Sequence, residues 1–212
     1  MKLILPRSLV GSRGSSFQPC NVPRRIKGSV SLEFKVWRSA FGNFEAPLKW
    51  LYCGSTDLPL SAAGRAELQN KHYAIKNVRF LTSGMQRTNE TLRILFGEVP
   101  YAVDPRFREV DFGVFEMRSY EELKAVPEYQ TWLNGDNEAN IPPEGESGQQ
   151  MKERVLQAFS CIREDTCLIT HGGVIAAIME HLFPEEKKDR YQWQPKPGCG
   201  YVLSENGSFD TL

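Results

Sequence analysis

The chain of 212 residues has no excess of charge of either sign and no long apolar run. Lysine and arginine together number 26, and so do aspartate and glutamate, so the net charge is zero. Without a positive field we expect no nucleic-acid partner and no anionic membrane surface, and any affinity for an anion must be local. No stretch of 18 apolar residues is present, so the sequence predicts no membrane-spanning helix.

Cysteine and histidine are both sparse. The five cysteines are scattered and form no C-x-x-C pair, which favours free thiols in a reducing compartment, and we therefore expect a cytoplasmic protein. The three histidines, His72, His171 and His181, stand at unrelated spacings, so no metal-ligand set is apparent and we expect no cofactor.

Acidic residues are missing from residues 1–32, which are basic and rich in serine. We interpret them as an N-terminal extension of uncertain order. An organellar transit peptide is the alternative, because such peptides share this composition. The remainder, residues 33–212, is predicted to be one domain, since its length and its ordinary apolar content suit a single buried core.

From residue 33 onward, strand-like and helix-like segments alternate. Strands are predicted at 34–37, 78–82, 99–103, 166–170 and 200–204, and helices at 61–70, 86–96, from 119, 147–162 and 174–182. Alternation of this kind indicates an α/β fold, a three-layer sandwich with a mostly parallel central sheet flanked by helices. Ligands of such folds bind beyond the carboxyl ends of the strands, so candidate functional residues should stand where strands end.

One such position is the stretch CLITHGGVIAAIME, in which His171, Gly172 and Gly173 follow an apolar strand and precede a helix. The N–H groups at a helix start favour an anion, and glycines allow close backbone approach. Taken alone, a structural and hydrogen-bonded histidine is the more frequent interpretation.

Arg87 stands at a second strand-to-helix junction, where its planar guanidinium could bind a phosphate. The alternative is an exposed arginine in the first helical turn. Glu109 lies in a loop flanked by aromatic residues and could act as a general acid, the alternative being salt bridges with Arg106 or Arg108.

Taken together, these segments resemble the histidine phosphatase superfamily, the phosphoglycerate-mutase-like fold, and especially its small phosphatases of the α-ribazole-phosphatase type. The resemblance spans about residues 34–205 and rests on YCGSTDLPLSAAG, LTSGMQRTNET, REVDFGVFE, PPEGES and LITHGGVIAAI in this order. It implies that Arg87 matches the second arginine of the phosphate site, Glu109 the acid and His171 the second histidine.

The first motif of that family departs from the expected pattern. Arg38 matches the first arginine and Asn43 resembles the downstream asparagine of the motif, but Ser39 stands where the nucleophilic histidine is expected. The resemblance therefore predicts Glu109, His171 and Ser39 as catalytic positions. It predicts a phosphate site formed by Arg38, Arg87, Asn43, His171 and Gly172.

The resulting expectation is a phosphomonoester hydrolase acting on a small phosphorylated metabolite, impaired because covalent catalysis needs an activated nucleophile. A non-catalytic relative that binds a phosphorylated ligand or a protein is the alternative. The oligomeric state is left open.

Overall fold

The computed structural model describes residues 51–75, 77–136, 138–204 and 207–212, together with the backbone of 34–38. The proposed extension, residues 1–32, lies outside this range, so its boundary stays a prediction. The strands are β1 Phe34–Arg38, β2 Arg79–Thr82, β3 Tyr101–Val103, β4 Thr166–Thr170, β5 Gly200–Leu203 and β6 Phe209–Thr211. The α-helices are α1 Ala62–Gln69, α2 Gln86–Phe96, α3 Tyr120–Leu123, α4 Pro127–Leu133, α5 Gly148–Phe159 and α6 Gly172–Leu182. Single 3-10 turns lie at Pro105–Phe107, Gly113–Phe115 and Pro184–Glu186.

The described strands form one six-stranded sheet in the order β3-β2-β4-β1-β5-β6. Neighbours among β3, β2, β4 and β1 are parallel, whereas β5 and β6 run antiparallel at one side. Arg38 is opposite Thr170, and Thr82 is opposite Ile169, so the carboxyl ends of β1, β2 and β4 share one sheet edge. The predicted fold class, a mostly parallel sheet flanked by helices, is confirmed.

Two apolar clusters cover the two faces of the sheet and share β4, which is buried along its whole length. Leu168 packs in a first cluster with residues of α5 and α6, whereas Cys167 and Ile169 pack in a second cluster with residues of α1 and α2. Successive strand side chains point to opposite faces, which explains why the three central residues of β4, Cys167, Leu168 and Ile169, are all apolar.

A third group, here called the aromatic cluster, lies under α3 and α4. It consists of Phe115, Leu123 and Tyr129, packed against Tyr52, Phe112, Val126, Trp132 and Leu133. The hydroxyls of Tyr52 and Tyr129 are 2.5 Å apart. The cluster holds the segment before α1 against the segment that follows the candidate acid.

Serine side chains cap the starts of two helices. The Ser61 hydroxyl accepts the N–H of Gly64, and Ser147 and Gln150 form a reciprocal capping box at α5. The helix predicted from Ser119 is only four residues long, because the chain turns before Pro127 and begins α4 there. None of the helices in the described part of the chain is long and apolar enough to cross a membrane.

Candidate functional site

Arg87 lies in the first turn of α2, and its side chain is turned inward. The residue is only 1% exposed, so the alternative of an exposed first-turn arginine is wrong. Nη2 donates to the Gly54 carbonyl at 2.7 Å, Nη1 donates to the Thr56 carbonyl at 2.9 Å, and Nε donates to His171 Nδ1 at 3.3 Å. Burial lowers the pKa of the guanidinium, but an arginine remains a cation in a protein.

His171 is the N-cap residue of α6 and is 4% exposed. Its Nε2 lies 2.9 Å from the Ser83 hydroxyl, and its Nδ1 is the acceptor for Arg87. Ser83 and Arg87 come from the β2–α2 junction, so the parallel sheet brings two strand ends together as the sequence predicts. Gly172, the first residue of α6, is buried beside this pair.

Glu109 reaches the same helix start from the loop after β3. Its Oε2 accepts the N–H of Gly173 at 2.9 Å, and its Oε1 accepts the N–H of Val110 at 3.0 Å. Arg106 pairs instead with Asp104, with 2.6 Å between Nη2 and Oδ2, so it does not take the partner role that the alternative interpretation gave it. The candidate acid therefore contacts α6 two residues after His171.

Sequence reasoning missed Glu116, which orders the loop that holds Arg87. Its carboxylate accepts the consecutive N–H groups of Gly54, Ser55 and Thr56 at 2.9 to 3.3 Å, and the Thr56 hydroxyl at 2.6 Å. The carbonyls of Gly54 and Thr56 are the ones that bind Arg87. No local sequence pattern predicts this role, because 60 to 62 residues separate Glu116 from the N–H groups that it accepts.

Gly54 is required at its position by a close backbone contact. A Cβ atom there would lie 1.7 Å from the carbonyl oxygen of Val110. The loop before α1 therefore packs backbone against backbone with the loop that carries Glu109.

Cys53 precedes this loop, and its thiol is influenced by the charges of the site. Burial raises its pKa to about 11, against an opposing effect of Arg87, while Glu116 and Glu109 raise it further. The thiol is consequently protonated at neutral pH and is not an activated nucleophile.

The structure brings together Arg87, Glu109, His171 and Gly172. The backbone of Arg38 ends β1 at the same sheet edge, whereas Ser39 and Asn43 lie outside the described residues and keep their predicted roles as predictions. The other histidines, His72 and His181, are exposed. Within the described ranges, His, Cys, Asp and Glu form no group of three or more that could hold a metal ion.

Comparison with known proteins decides the family. The model of the histidine phosphatase superfamily (branch 1) matches residues 41–209. The chain belongs to this superfamily. The match begins at residue 41, and so it contains Asn43 and the junctions of Arg87 and His171 but neither Arg38 nor Ser39.

Relatives of this histidine phosphatase superfamily member cover most of its length. The adenosylcobalamin/alpha-ribazole phosphatase of Escherichia coli (strain K12) is 27% identical over 190 residues, which span 84% of this chain and 93% of the relative. A phosphoglycerate mutase from Thermus thermophilus, of known crystal structure, is 26% identical with a TM-score of 0.63, over 81% and 92% of the two chains. A crystal structure from Escherichia coli strain K-12, 22% identical over 85% and 94%, has a TM-score of 0.72 and supports the fold alone.

Proposed function

We propose that the chain is a phosphomonoester hydrolase of the histidine phosphatase type, with weak turnover of a small phosphorylated metabolite. The observation that carries this proposal is the contact of Arg87 with His171 beside Glu109 at the start of α6. The named relatives support the substrate class, since one is a phosphatase and the other a phosphoglycerate mutase. Weak turnover follows from Ser39, which stands where the nucleophilic histidine is expected.

The proposed roles follow from charge and position. The guanidinium of Arg87 and the N-terminus of α6 offer positive charge to the phosphoryl oxygens. Glu109 gives a proton to the leaving alcohol oxygen when the P–O bond to it breaks. With no histidine to form a phosphohistidine, water attacks phosphorus directly, and Glu109 regains its proton from that water. Catalysis then consists of positioning, electrostatic stabilisation and proton transfer by Glu109, without a covalent intermediate.

A second candidate, a relative that binds a phosphorylated ligand without turning it over, has its own supporting observation. Both ring nitrogens of His171 are hydrogen bonded within the protein, and Arg87 uses all three of its guanidinium nitrogens in the same way. A phosphoryl oxygen that contacts His171 must therefore replace one of these bonds. This exchange is compatible with binding but adds a step before catalysis.

Hydrolysis of p-nitrophenyl phosphate and of a panel of small phosphorylated metabolites tests the proposal. Wild type should release phosphate slowly, His171→Ala should abolish this release, and His72→Ala, at an exposed histidine, should not affect it. Ser39→His should raise turnover about tenfold or more, since each factor of ten needs only about 1.4 kcal/mol off the barrier.

The outcomes separate the two candidates. No turnover above the His171→Ala background, with a phosphate-dependent rise in melting temperature, would establish the second candidate in place of the first. Neither turnover nor a phosphate effect would overturn both. If Ser39→His is expressed and folded but no faster than wild type, the loss of the histidine is not the cause of the weak turnover.

A further inference from the structure

A chain of buried hydroxyl groups runs from His171 into α2. The His171 Nε2 atom lies 2.9 Å from Ser83 Oγ, Ser83 Oγ lies 3.1 Å from Thr88 Oγ1, and Thr88 Oγ1 lies 2.7 Å from the carbonyl oxygen of Met85. Ser83 and Thr88 are fully buried, at 0% exposure. The chain ends on a carbonyl, and a carbonyl can only accept.

That end point sets the direction of each hydrogen bond. Thr88 must donate its proton to Met85, so it accepts the proton of Ser83. Ser83 then has a lone pair left for His171 Nε2, which must carry the ring proton. The hydrogen bond at the other ring nitrogen of His171 is consistent with this direction. Arg87 Nε–H can only donate, and therefore Nδ1 must be unprotonated to accept it.

We infer that Ser83 and Thr88 are positioning residues that hold neutral His171 as its Nε2–H tautomer, with the Nδ1 lone pair directed at Arg87. Nε2 is hydrogen bonded to the fully buried hydroxyl of Ser83, so Nδ1 is the ring nitrogen that meets a phosphoryl group. This last step rests on the proposed function.

Phosphate binding should then change one ring nitrogen only. Dihydrogen phosphate replaces Arg87 Nε at Nδ1, passes one proton to that nitrogen and becomes the dianion, beside an imidazolium whose Nε2–H still donates to Ser83. In the described part of the chain, the charged groups around this corner are Arg87 from α2, Glu109, which accepts the N–H of Gly173, and Asp57 and Glu116, whose charges act on Arg87. The dianion and these carboxylates offset the two cations.

The variant Thr88→Val keeps the volume of the side chain and removes its hydroxyl. Ser83 then loses its acceptor, and its proton turns to His171 Nε2. This reversal favours the Nδ1–H tautomer, whose N–H opposes that of Arg87 Nε. Thr88→Ser restores a hydroxyl and should restore the wild-type tautomer.

Thr91→Val is the matched control. Thr91 is also fully buried on α2 and donates to a backbone carbonyl, that of Arg87, at 2.7 Å, but it takes no part in the chain to His171. Both threonine-to-valine changes remove a buried hydroxyl from one helix. Only Thr88→Val should alter His171.

Nitrogen-15 NMR of the imidazole rings is the measurement, and with only three histidines the His171→Ala variant assigns the spectrum. We expect wild-type His171 to show a protonated Nε2 and a bare Nδ1. In Thr88→Val, the Nδ1 and Nε2 resonances of His171 should shift towards their average or interchange their positions. The spectra of Thr91→Val and Thr88→Ser should match that of wild type. Addition of inorganic phosphate should shift the Nδ1 resonance to the value of a protonated nitrogen and leave the Nε2 resonance unchanged.

A wild-type His171 that carries its proton on Nδ1 would overturn the inference, and so would a wild-type-like spectrum of Thr88→Val. A shift of the Nε2 resonance instead of the Nδ1 resonance on addition of phosphate would overturn the assignment of Nδ1 as the ring nitrogen that meets the phosphoryl group. If phosphate has no effect on the spectrum, this would count against the proposed function and against the assignment of Nδ1 as the phosphoryl contact. The comparison of tautomers in the absence of phosphate would still decide whether Ser83 and Thr88 position His171.

Discussion

At the scale of single residues, Cys53 makes the free energy of unfolding depend on pH in the alkaline range. Its pKa is raised from 9.0 to about 11, chiefly by burial. Between these values the unfolded thiol has lost its proton and the folded thiol has not, so the unfolded state binds fewer protons and the free energy of unfolding falls as pH rises. We expect urea unfolding to show this loss between about pH 9 and 11, and Cys53→Ser to reduce it.

The control for this prediction is Cys161→Ser, because Cys161 is an exposed thiol. It should follow the wild-type pH profile, whereas Cys53→Ser should run parallel to wild type below pH 9 and diverge above it. Parallel profiles of Cys53→Ser and wild type throughout would mean that another group causes any alkaline loss.

The site residues that could be predicted from the sequence are those at strand ends. His171 and Arg87 each follow a short apolar strand and open a helix, and this local pattern, strengthened by the family resemblance, was enough to single them out. Glu116 was not visible, because it acts through backbone N–H groups of a loop about 60 residues away. Such a contact depends on tertiary structure alone.

At the scale of elements, the start of α6 depends on a glycine that leaves room for Glu109. A Cβ atom on Gly173 would lie 2.3 Å from Glu109 Oε1. Alanine favours a helix over glycine by about 1 kcal/mol, but here it would displace the carboxylate from the Gly173 N–H. We therefore expect Gly173→Ala to leave the free energy of unfolding within about 1 kcal/mol of wild type and to lower phosphatase activity.

A double-mutant cycle isolates this contact. In the Glu109→Ala background the obstructing atoms are gone, so Gly173→Ala should stabilise by about 0.5 to 1 kcal/mol in urea unfolding. Equal effects of Gly173→Ala in both backgrounds would show that Glu109 and Gly173 do not interact.

Elements with a strong periodic pattern were predicted best. The bounds of α2 and β4 agree with their predictions, because α2 has a clear apolar face and β4 has a short apolar centre bounded by polar residues. The predicted start of α6, at Val174, is two residues later than the observed start at Gly172, since glycine has low helix propensity. The short elements α4 and β6 were missed, because they depend on packing in the aromatic cluster and on pairing with β5.

At the scale of the whole molecule, the described residues divide into a sheet with two covered faces and a smaller region. The first and second clusters share β4, which contributes side chains to both, so opening either face exposes part of this strand. The aromatic cluster does not include β4 and contains only three fully buried side chains, Phe115, Leu123 and Tyr129. Within it Trp132 Nε1 is buried and has no hydrogen-bond partner in the described part of the chain. An unpaired buried donor costs about 1 to 3 kcal/mol.

This difference predicts that α4 opens without the sheet. In native-state hydrogen exchange, backbone amides of α4 should exchange at a lower free energy than those of β4, which should need global unfolding. Trp132→Phe removes the unpaired donor while keeping an aromatic ring, so it should raise the protection of α4 and leave that of β4 nearly unchanged. Equal exchange free energies for α4 and β4 in wild type would mean that the aromatic cluster and the sheet unfold as one unit, despite the separation of their cores.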